Sequence, residues 1–399
     1  MDTTTTHVDN APVSRSMPAG VYLLGFSLFA MGSAEFLLAG VLPAVAADLD
    51  VTLSSAGMLI TAFALGVVVG GPPFAVLSLG WPRRTALVAT QAVFAAGVAA
   101  GLLGNYPVLL VSRFVSGLAY AGFFAVAAVT AIGLVTPDRN ARASGVVVSG
   151  LSVAMVAGGP MGTLISHFTG WRGGFWVVVA LTLAGIAGVL FGLPATGGRG
   201  PAPSVARELA VLRKPLLWNI FGITVLTTGA YMISFNYLAA MLSDIAGVSE
   251  VWIPAVLALF GIGAFAGLSI GGRISDRRPH LALLTGTIGI AILSILLALT
   301  MSRAWIVVPA VFLLGIAAFV LNPALYGRVF AIAAGAPTLA GATTVSAFQL
   351  GISATPVLAA VALNRGAALT SVCVIGAGLA VAAGALILLD RARQRPPAS

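Results

Sequence analysis

The chain has 399 residues, of which 59% are hydrophobic and only 8% are charged, and its mean hydropathy is +1.07. This composition excludes a soluble globular protein and indicates a polytopic membrane protein. The net charge of +9 does not indicate nucleic-acid binding, because the basic residues lie in short loops between apolar runs. We therefore expect the protein to be surrounded by the lipid bilayer and not to bind nucleic acid.

Twelve apolar runs are long enough to cross a membrane as helices, which predicts an all-α integral membrane protein. The runs cover residues 19–45, 54–79, 85–103, 107–134, 143–166, 174–193, 216–242, 252–272, 281–301, 304–330, 339–363 and 369–389. The predicted organisation is a disordered cytoplasmic N-terminus at 1–18, six-helix bundles at 19–193 and 216–390, a cytoplasmic linker at 194–215 and a cytoplasmic tail at 391–399. Within the linker, 205–214 is predicted to form a basic amphipathic helix on the inner leaflet.

Basic residues indicate which ends of the runs face the cytoplasm. If the N-terminus is inside, the inside segments hold Arg15, Arg83, Arg84, Arg139, Arg142, Arg199, Arg207, Arg213, Lys214, Arg273, Arg277, Arg278, Arg328, Arg391, Arg393 and Arg395. The outside loops then hold Arg172, Arg303 and Arg365. Because positive charges favour the cytoplasmic side, both termini are predicted to lie there, in a multi-pass protein of the cytoplasmic membrane.

The two halves of the chain repeat each other at a spacing of about 195 residues. Asp48 and Asp244 follow the first run of each half, and Pro160 and Pro356 are expected to interrupt the fifth. Two parallel six-helix halves are what an alternating-access transporter needs, because they can rock around a site at the middle of the membrane.

Two opposite charges lie deep in the first half. Glu35 is ~24 Å into a hydrophobic core roughly 30 Å thick, and Arg113 is about 10 Å below the outer surface. A charge at mid-membrane costs ~2.5–3.5 kcal/mol, so such residues usually pair and usually function. We expect the two side chains to meet, with Glu35 taking and releasing protons while Arg113 favours its ionised form. The alternative is a static ion pair that fastens the first run to the fourth.

The fourth and fifth runs carry small and aromatic residues at helical spacing. Arg113 begins a helical stripe that contains Gly117, Tyr120 and Phe124. The fifth run carries a small-residue face with a proline, formed by Gly150, Ala154, Gly158, Gly159, Pro160 and Gly162. We expect this face to be the seam on which one half slides over the other, and simple helix packing is the alternative.

Charged residues between the runs suggest a cytoplasmic latch. Asp276 and Arg277 in the second half, and Arg83 and Arg84 in the first, are positioned to grip neighbouring helix ends. Leu79 stands where the first half would need an acid. Positive-inside topology alone explains the arginines but not Asp276.

The second half has no deep charge but gathers neutral polar groups and rings. These are Tyr231, Phe235, Asn236, Asn322, Ser346 and Gln349. Together with Tyr120 and Phe124 they are predicted to line a cavity for an uncharged or lipophilic small molecule with a few hydroxyl, nitro or amide groups. For each residue taken alone, packing or interhelical hydrogen bonding is the alternative.

Other classes of membrane protein lack support in the sequence. An intramembrane enzyme would need a paired nucleophile and base, a carboxylate dyad or a metal cluster, and a channel would need rings of similar groups. The histidines His7, His167 and His280 are scattered, so no metal site is indicated. The single cysteine, Cys373, excludes an intramolecular disulfide. We expect no cofactor other than the proton gradient, and a monomer is sufficient.

Over nearly all its length the chain resembles the drug:proton antiporters of the major facilitator superfamily. Arg113 and Gly117 match the fourth-span motif of that family, and residues 158–162 (GGPMG) resemble its fifth-span antiporter motif. Its second-to-third loop motif is only partly present, since Leu79 replaces the acid. The resemblance implies twelve transmembrane helices in two pseudo-symmetric six-helix bundles and proton-coupled efflux.

Finer signatures point to one branch of the family. Glu35-Phe36 followed by 40–43 (GVLP), and 170–176 (GWRGGFW), are similar to the arabinose-export-like branch. Trp81-Pro82-Arg83-Arg84, Trp252-Ile253-Pro254 and Gly335-Ala336-Pro337-Thr338 are similar to actinobacterial chloramphenicol exporters. The resemblance implies export of a small amphiphilic compound and resistance to a chloramphenicol-type antibiotic. Export of sugars or nucleosides, and proton-coupled import, are the alternatives.

Overall fold

The computed structural model describes residues 17–77, 81–136, 139–193, 213–333 and 337–393. Within these ranges the chain is helical and has no strands. The described residues contain 12 helical spans long and apolar enough to cross a membrane, as the sequence predicts. The predicted linker helix, apart from Arg213 and Lys214, lies outside the described residues, as do Leu79, most of the N-terminal segment and the end of the tail.

The described residues form fifteen α-helices. They are Ala19–Asp48, Leu53–Leu77, Arg83–Leu103, Tyr106–Gly133, Asn140–Val153, Gly159–Thr169, Trp171–Gly192, Pro215–Asn236, Leu238–Asp244, Ile253–Ser275, Pro279–Thr300, Ala304–Val320, Asn322–Ile332, Pro337–Leu363 and Ser371–Arg393. We number the twelve spans 1 to 12 along the chain. Spans 5, 7 and 10 each consist of two consecutive helices, and the other spans of one.

Two of the three two-helix spans, 5 and 10, have a proline next to the interruption. In span 5 a π-helical turn, Ala154–Gly158, precedes Pro160, which lies in the first turn of the α-helix that follows it, where proline is best tolerated. In span 10, Pro323 occupies the same position after Leu321. Pro356 instead lies inside the unbroken helix of span 11, so the prediction that it interrupts this span is wrong. Neighbouring membrane helices can support a helix that lacks one hydrogen bond.

The packing of the spans confirms two repeated bundles. In the first half, span 1 packs on spans 5 and 6, and spans 2, 3 and 4 pack on one another through the 2–4 and 3–4 contacts. The same pairs recur six spans later. Span 7 packs on spans 11 and 12, and spans 8 and 9 both pack on span 10. The two halves are therefore parallel copies of one bundle.

Glycine allows the closest of these approaches. A Cβ atom at Gly117 in span 4 would overlap the backbone carbonyl of Phe63 in span 2. In the second half, a Cβ atom at Gly315 in span 10 would overlap the carbonyl of Phe260 in span 8. Both halves thus use the same backbone-to-backbone contact.

Among the described residues, the two halves meet mainly where span 2 packs on span 11, span 5 on span 8 and span 1 on span 7. Thr61 Oγ1 donates a hydrogen bond of 2.9 Å to the carbonyl of Ser353, joining spans 2 and 11. His167 Nδ1 of span 5 lies 3.4 Å from Glu250 Oε2 at the start of span 8. All of these residues lie toward the face opposite the chain termini. The structure is therefore closed at that face.

Candidate functional site

Glu35 lies where span 1 crosses the junction of the two halves. Its side chain is buried, with 8% of the residue exposed. Gln349 Nε2, on span 11 of the second half, donates a hydrogen bond of 3.0 Å to Glu35 Oε1. The next residue, Phe36, also faces the second half, with its ring centroid 6.5 Å from that of Phe235. The structure thus joins two predicted site residues whose pairing the sequence did not reveal.

Arg113 does not form the predicted ion pair with Glu35, so this expectation is wrong. Its guanidinium carbon lies 4.5 Å from the ring centroid of Phe63 and 5.8 Å from that of Phe175, inside the first bundle. Its Nε and Nη1 atoms are buried and have no hydrogen-bond partner among the described residues. Contacts with the two rings hold the guanidinium within the bundle, while Gln349 occupies the carboxylate. The two charges still interact electrostatically across the remaining gap.

The rest of the Arg113 stripe packs mainly within the first half. Tyr120 is buried, and its ring centroid lies 5.6 Å from that of Phe63. Phe124, one turn further, is half-buried. A small cavity lies beside Arg113. It is lined by Leu38, Leu59, Val98, Leu102, Leu109, Ser112, Arg113, Trp171 and Phe175. Arg113 therefore belongs to the interior of one bundle, and Glu35 to the junction between bundles.

An aromatic cluster covers the second-half side of the junction. Phe235 lies 4.5 Å from Phe260, and Tyr231 lies 5.6 Å from Phe319, as measured between ring centroids. The sequence predicted Tyr231 and Phe235 but missed Phe260 and Phe319, which come from spans 8 and 10. Phe36 extends the cluster across the junction. The arrangement offers ring faces and edges to an apolar group.

The predicted polar residues of the second half divide into two kinds. Asn236 Nδ2 donates a hydrogen bond of 2.9 Å to Thr355 Oγ1, so Asn236 ties span 7 to span 11 rather than facing a ligand. By contrast, Asn322 Oδ1, Ser346 Oγ and Gln349 Oε1 are buried and lack a hydrogen-bond partner in the described part of the chain. Unpaired buried acceptors of this kind are costly, which makes them candidates for ligand or water contacts.

Tyr326 is a further aromatic residue that sequence reasoning missed. Its ring stacks at 5.5 Å on Phe348 of span 11 and at 6.3 Å on Phe330. Tyr326 lies four residues after Asn322 in one helix, and residues at this spacing share a face. The spacing of four residues from Asn322 is therefore the sequence signal that could have identified Tyr326.

The glycine face of span 5 packs within its own half, which corrects the predicted sliding seam. A Cβ atom at Gly158 would overlap Ser33 Oγ, and Cβ atoms at Gly159 and Gly162 would press on side chains of span 1. Span 5 meets the second half through other residues of the π-helical turn and of the helix that follows it, and Met155 and Val156 of the turn contact Gly261 of span 8. The glycines therefore allow span 1, which carries Glu35, to lie close to span 5.

The predicted latch residues behave differently in the two halves. Arg83 Nη1 donates to the carbonyl of Val129 in span 4 over 3.4 Å, and Arg84 Nη2 donates to that of Leu190 in span 6. These two arginines grip helix ends as expected. The side chains of Asp276 and Arg277 make no hydrogen bond or ion pair within the described ranges. The predicted second-half latch at Asp276 is not formed in this conformation, which is closed at the opposite face, and it stays a prediction.

A different acidic residue holds the corresponding ends of the second half. Asp390, in the last turns of span 12, has 1% of its side chain exposed and forms an ion pair with Arg328 of span 10. His280 Nε2 of span 9 lies 3.3 Å from Asp390 Oδ2, and Asn219 Nδ2 of span 7 donates a 3.1 Å bond to Oδ1. Sequence reasoning missed this cluster because Asp390 lay at the predicted end of the last bundle.

These observations define the class of protein. It is an integral membrane protein of two repeated six-helix bundles, with a buried carboxylate and a polar, aromatic site at their junction, which is the architecture of an alternating-access transporter. The model of the Major Facilitator Superfamily matches residues 24–356, and the chain belongs to that superfamily of transporters.

Named relatives agree with this assignment. The chain is 41% identical over 353 residues to a chloramphenicol resistance protein of Streptomyces lividans, covering 88% of this chain and 90% of that protein. It is 31% identical over 374 residues to the inner membrane transport protein YdhP of Escherichia coli K12, covering 94% and 96%. The fold is similar to that of the nucleoside transporter NupG, with a TM-score of 0.74 over 94% of this chain and 99% of that one, at 13% identity.

Proposed function

We propose that the protein exports a small amphiphilic compound from the cytoplasm in exchange for protons, and that Glu35 is the proton-binding group. The observation that carries this proposal is the position of Glu35. It is a buried carboxylate in the first half, and its one hydrogen bond within the described chain comes from the second half. A protonatable group at this junction senses the relative position of the two halves.

The exchange follows from the electrostatics of a buried carboxylate. Protonated Glu35 is neutral and tolerates a low-dielectric environment, whereas the ionised form requires donors and positive charge nearby. Gln349 supplies a donor and Arg113 a positive charge in the present state. Protonation therefore favours one access state and deprotonation the other. The protein then lies in the cytoplasmic membrane with both termini in the cytoplasm, and an inward proton gradient can drive export.

The chemistry of the junction supports an amphiphilic substrate. The Phe36 and Phe235 rings offer an apolar surface, and the unpaired acceptors of Asn322, Ser346 and Gln349 suit hydroxyl or amide donors. Chloramphenicol combines a nitrobenzene ring, two hydroxyl groups and an amide. The name of the Streptomyces lividans relative supports it as the first compound to test.

Accumulation of labelled chloramphenicol in cells tests the proposal. Cells expressing the protein should accumulate less drug than empty cells, and a protonophore should remove the difference. Glu35→Gln should behave like the empty vector. Asp244→Asn is the matched control, because Asp244 is an exposed carboxylate at the outer end of span 7, and it should behave like the wild type. Full export by Glu35→Gln would contradict the role of Glu35.

A further inference from the structure

Gln349 reaches Glu35 from the opposite half of the molecule. Both residues are buried, with 6% and 8% exposed, and 314 residues separate them in the chain. One turn further along span 11, the carbonyl of Ser353 accepts the hydrogen bond from Thr61. Pro356 follows, and it lies against Gly57 at the start of span 2. Gln349 thus stands at the inner end of the contacts that close the face opposite the termini.

Opening that face must separate span 11 from spans 1 and 2, and the bond from Gln349 to Glu35 breaks with it. Arg113 cannot report the same movement, because it lies in the same bundle as Glu35 and moves with it. An amide N–H stabilises a carboxylate more than it stabilises a neutral acid. Losing the donor therefore makes the buried ionised form less favourable and proton binding stronger.

We propose that Gln349 is the positioning residue that makes the proton affinity of Glu35 depend on which face of the transporter is open. Glu35 binds a proton more strongly when the face opposite the termini is open, and more weakly when that face is closed and Gln349 donates to it. This inference rests on the proposed function, in which the open face is the outer one. Glu35 then takes its proton from outside and releases it inside, which is the order that proton-driven export requires.

Titration of Glu35 by infrared spectroscopy tests this inference without any substrate. The carboxyl C=O band of the purified full-length protein is followed against pH, and subtracting the Glu35→Gln spectrum isolates Glu35. Gln349→Met removes the donor at similar volume and should raise the titration midpoint by about one to two pH units. Gln349→Ser, whose hydroxyl cannot span the gap, should shift the midpoint in the same direction. Leu350→Met, at the exposed neighbouring position, is the control and should leave it unchanged.

A second measurement shows whether conformation acts through Gln349. Gly57→Leu should wedge the closed face apart, because a Cβ atom at Gly57 would lie 2.5 Å from the Tyr237 hydroxyl and 3.2 Å from Pro356 Cβ. This substitution should raise the Glu35 midpoint in the wild-type background and have no further effect with Gln349→Met. A wild-type midpoint in both Gln349 variants would overturn the inference and leave the proposed function standing. Full export by Glu35→Gln would overturn the proposed function instead.

Discussion

Replacing Asp390 by asparagine removes the negative charge from the cluster that joins spans 7, 9, 10 and 12. Asp390 has 1% of its side chain exposed and Arg328 only 11%, so little solvent reaches this ion pair. Removing one partner of a buried pair leaves the other charge uncompensated, which typically costs about 3–5 kcal/mol. For a bundle of this size, each kcal/mol lowers the melting temperature by about 2–4 °C. Asp390→Asn should therefore lower the melting temperature by on the order of 10 °C.

The chain contains its own reporter for this measurement. Cys373 is the single cysteine, it is fully buried, and it lies on span 12 together with Asp390. A thiol-reactive fluorogenic dye should label it only when the second bundle unfolds. Asp244→Asn is the matched control, because it removes an exposed carboxylate from the same half and should change the melting temperature little.

The double variant distinguishes pairing from a general effect of substitution. If Arg328 and Asp390 stabilise the bundle as a pair, Arg328→Gln combined with Asp390→Asn should cost clearly less than the sum of the two single changes. A melting temperature of Asp390→Asn within about 2 °C of the wild type would correspond to less than about 1 kcal/mol, and it would refute the proposed contribution of the cluster.

Two further substitutions test the packing of the spans. Gly315→Ala should lower the stability of the second bundle by about 1–3 kcal/mol in the Cys373 assay, because the added methyl group overlaps the Phe260 carbonyl, whereas Gly378→Ala has open space and should be tolerated. Gly57→Leu should separate the halves at the face opposite the termini, measured as a longer distance between spin labels on the ends of spans 5 and 8 at that face. An unchanged distance would contradict the assignment of Gly57 to the closing contacts.

The sequence alone predicts the twelve membrane spans and identifies Glu35 as the most unusual residue within them. Membrane helices need long apolar runs, so twelve of them stand out, and a carboxylate inside one of them, Glu35, stands out equally. The parallel repeat was also visible, and the recurring packing of spans 1–6 in spans 7–12 confirms it.

The neighbours of each helix face could not be predicted in the same way. Helical periodicity tells which residues share a face but not which helix that face meets. Periodicity alone therefore places the glycines of span 5 against the other half, whereas in the structure they pack on span 1. Depth in the membrane alone pairs Arg113 with Glu35, whereas in the structure the rings of its own bundle contact the guanidinium. Gln349 reaches Glu35 across 314 residues of sequence, and no local pattern encodes such a contact.

Proton movement in reconstituted vesicles tests proton-coupled export through Glu35 most directly. Purified protein is placed in liposomes that contain a pH-sensitive dye, and a chloramphenicol gradient is imposed without a pH gradient. Drug flowing out of the vesicles through the wild-type protein should drive protons inward and acidify the interior, whereas Glu35→Gln should produce no pH change. Drug flux through the wild-type protein without proton movement would contradict proton-coupled export. A proton signal in Glu35→Gln equal to that of the wild type would contradict the role of Glu35.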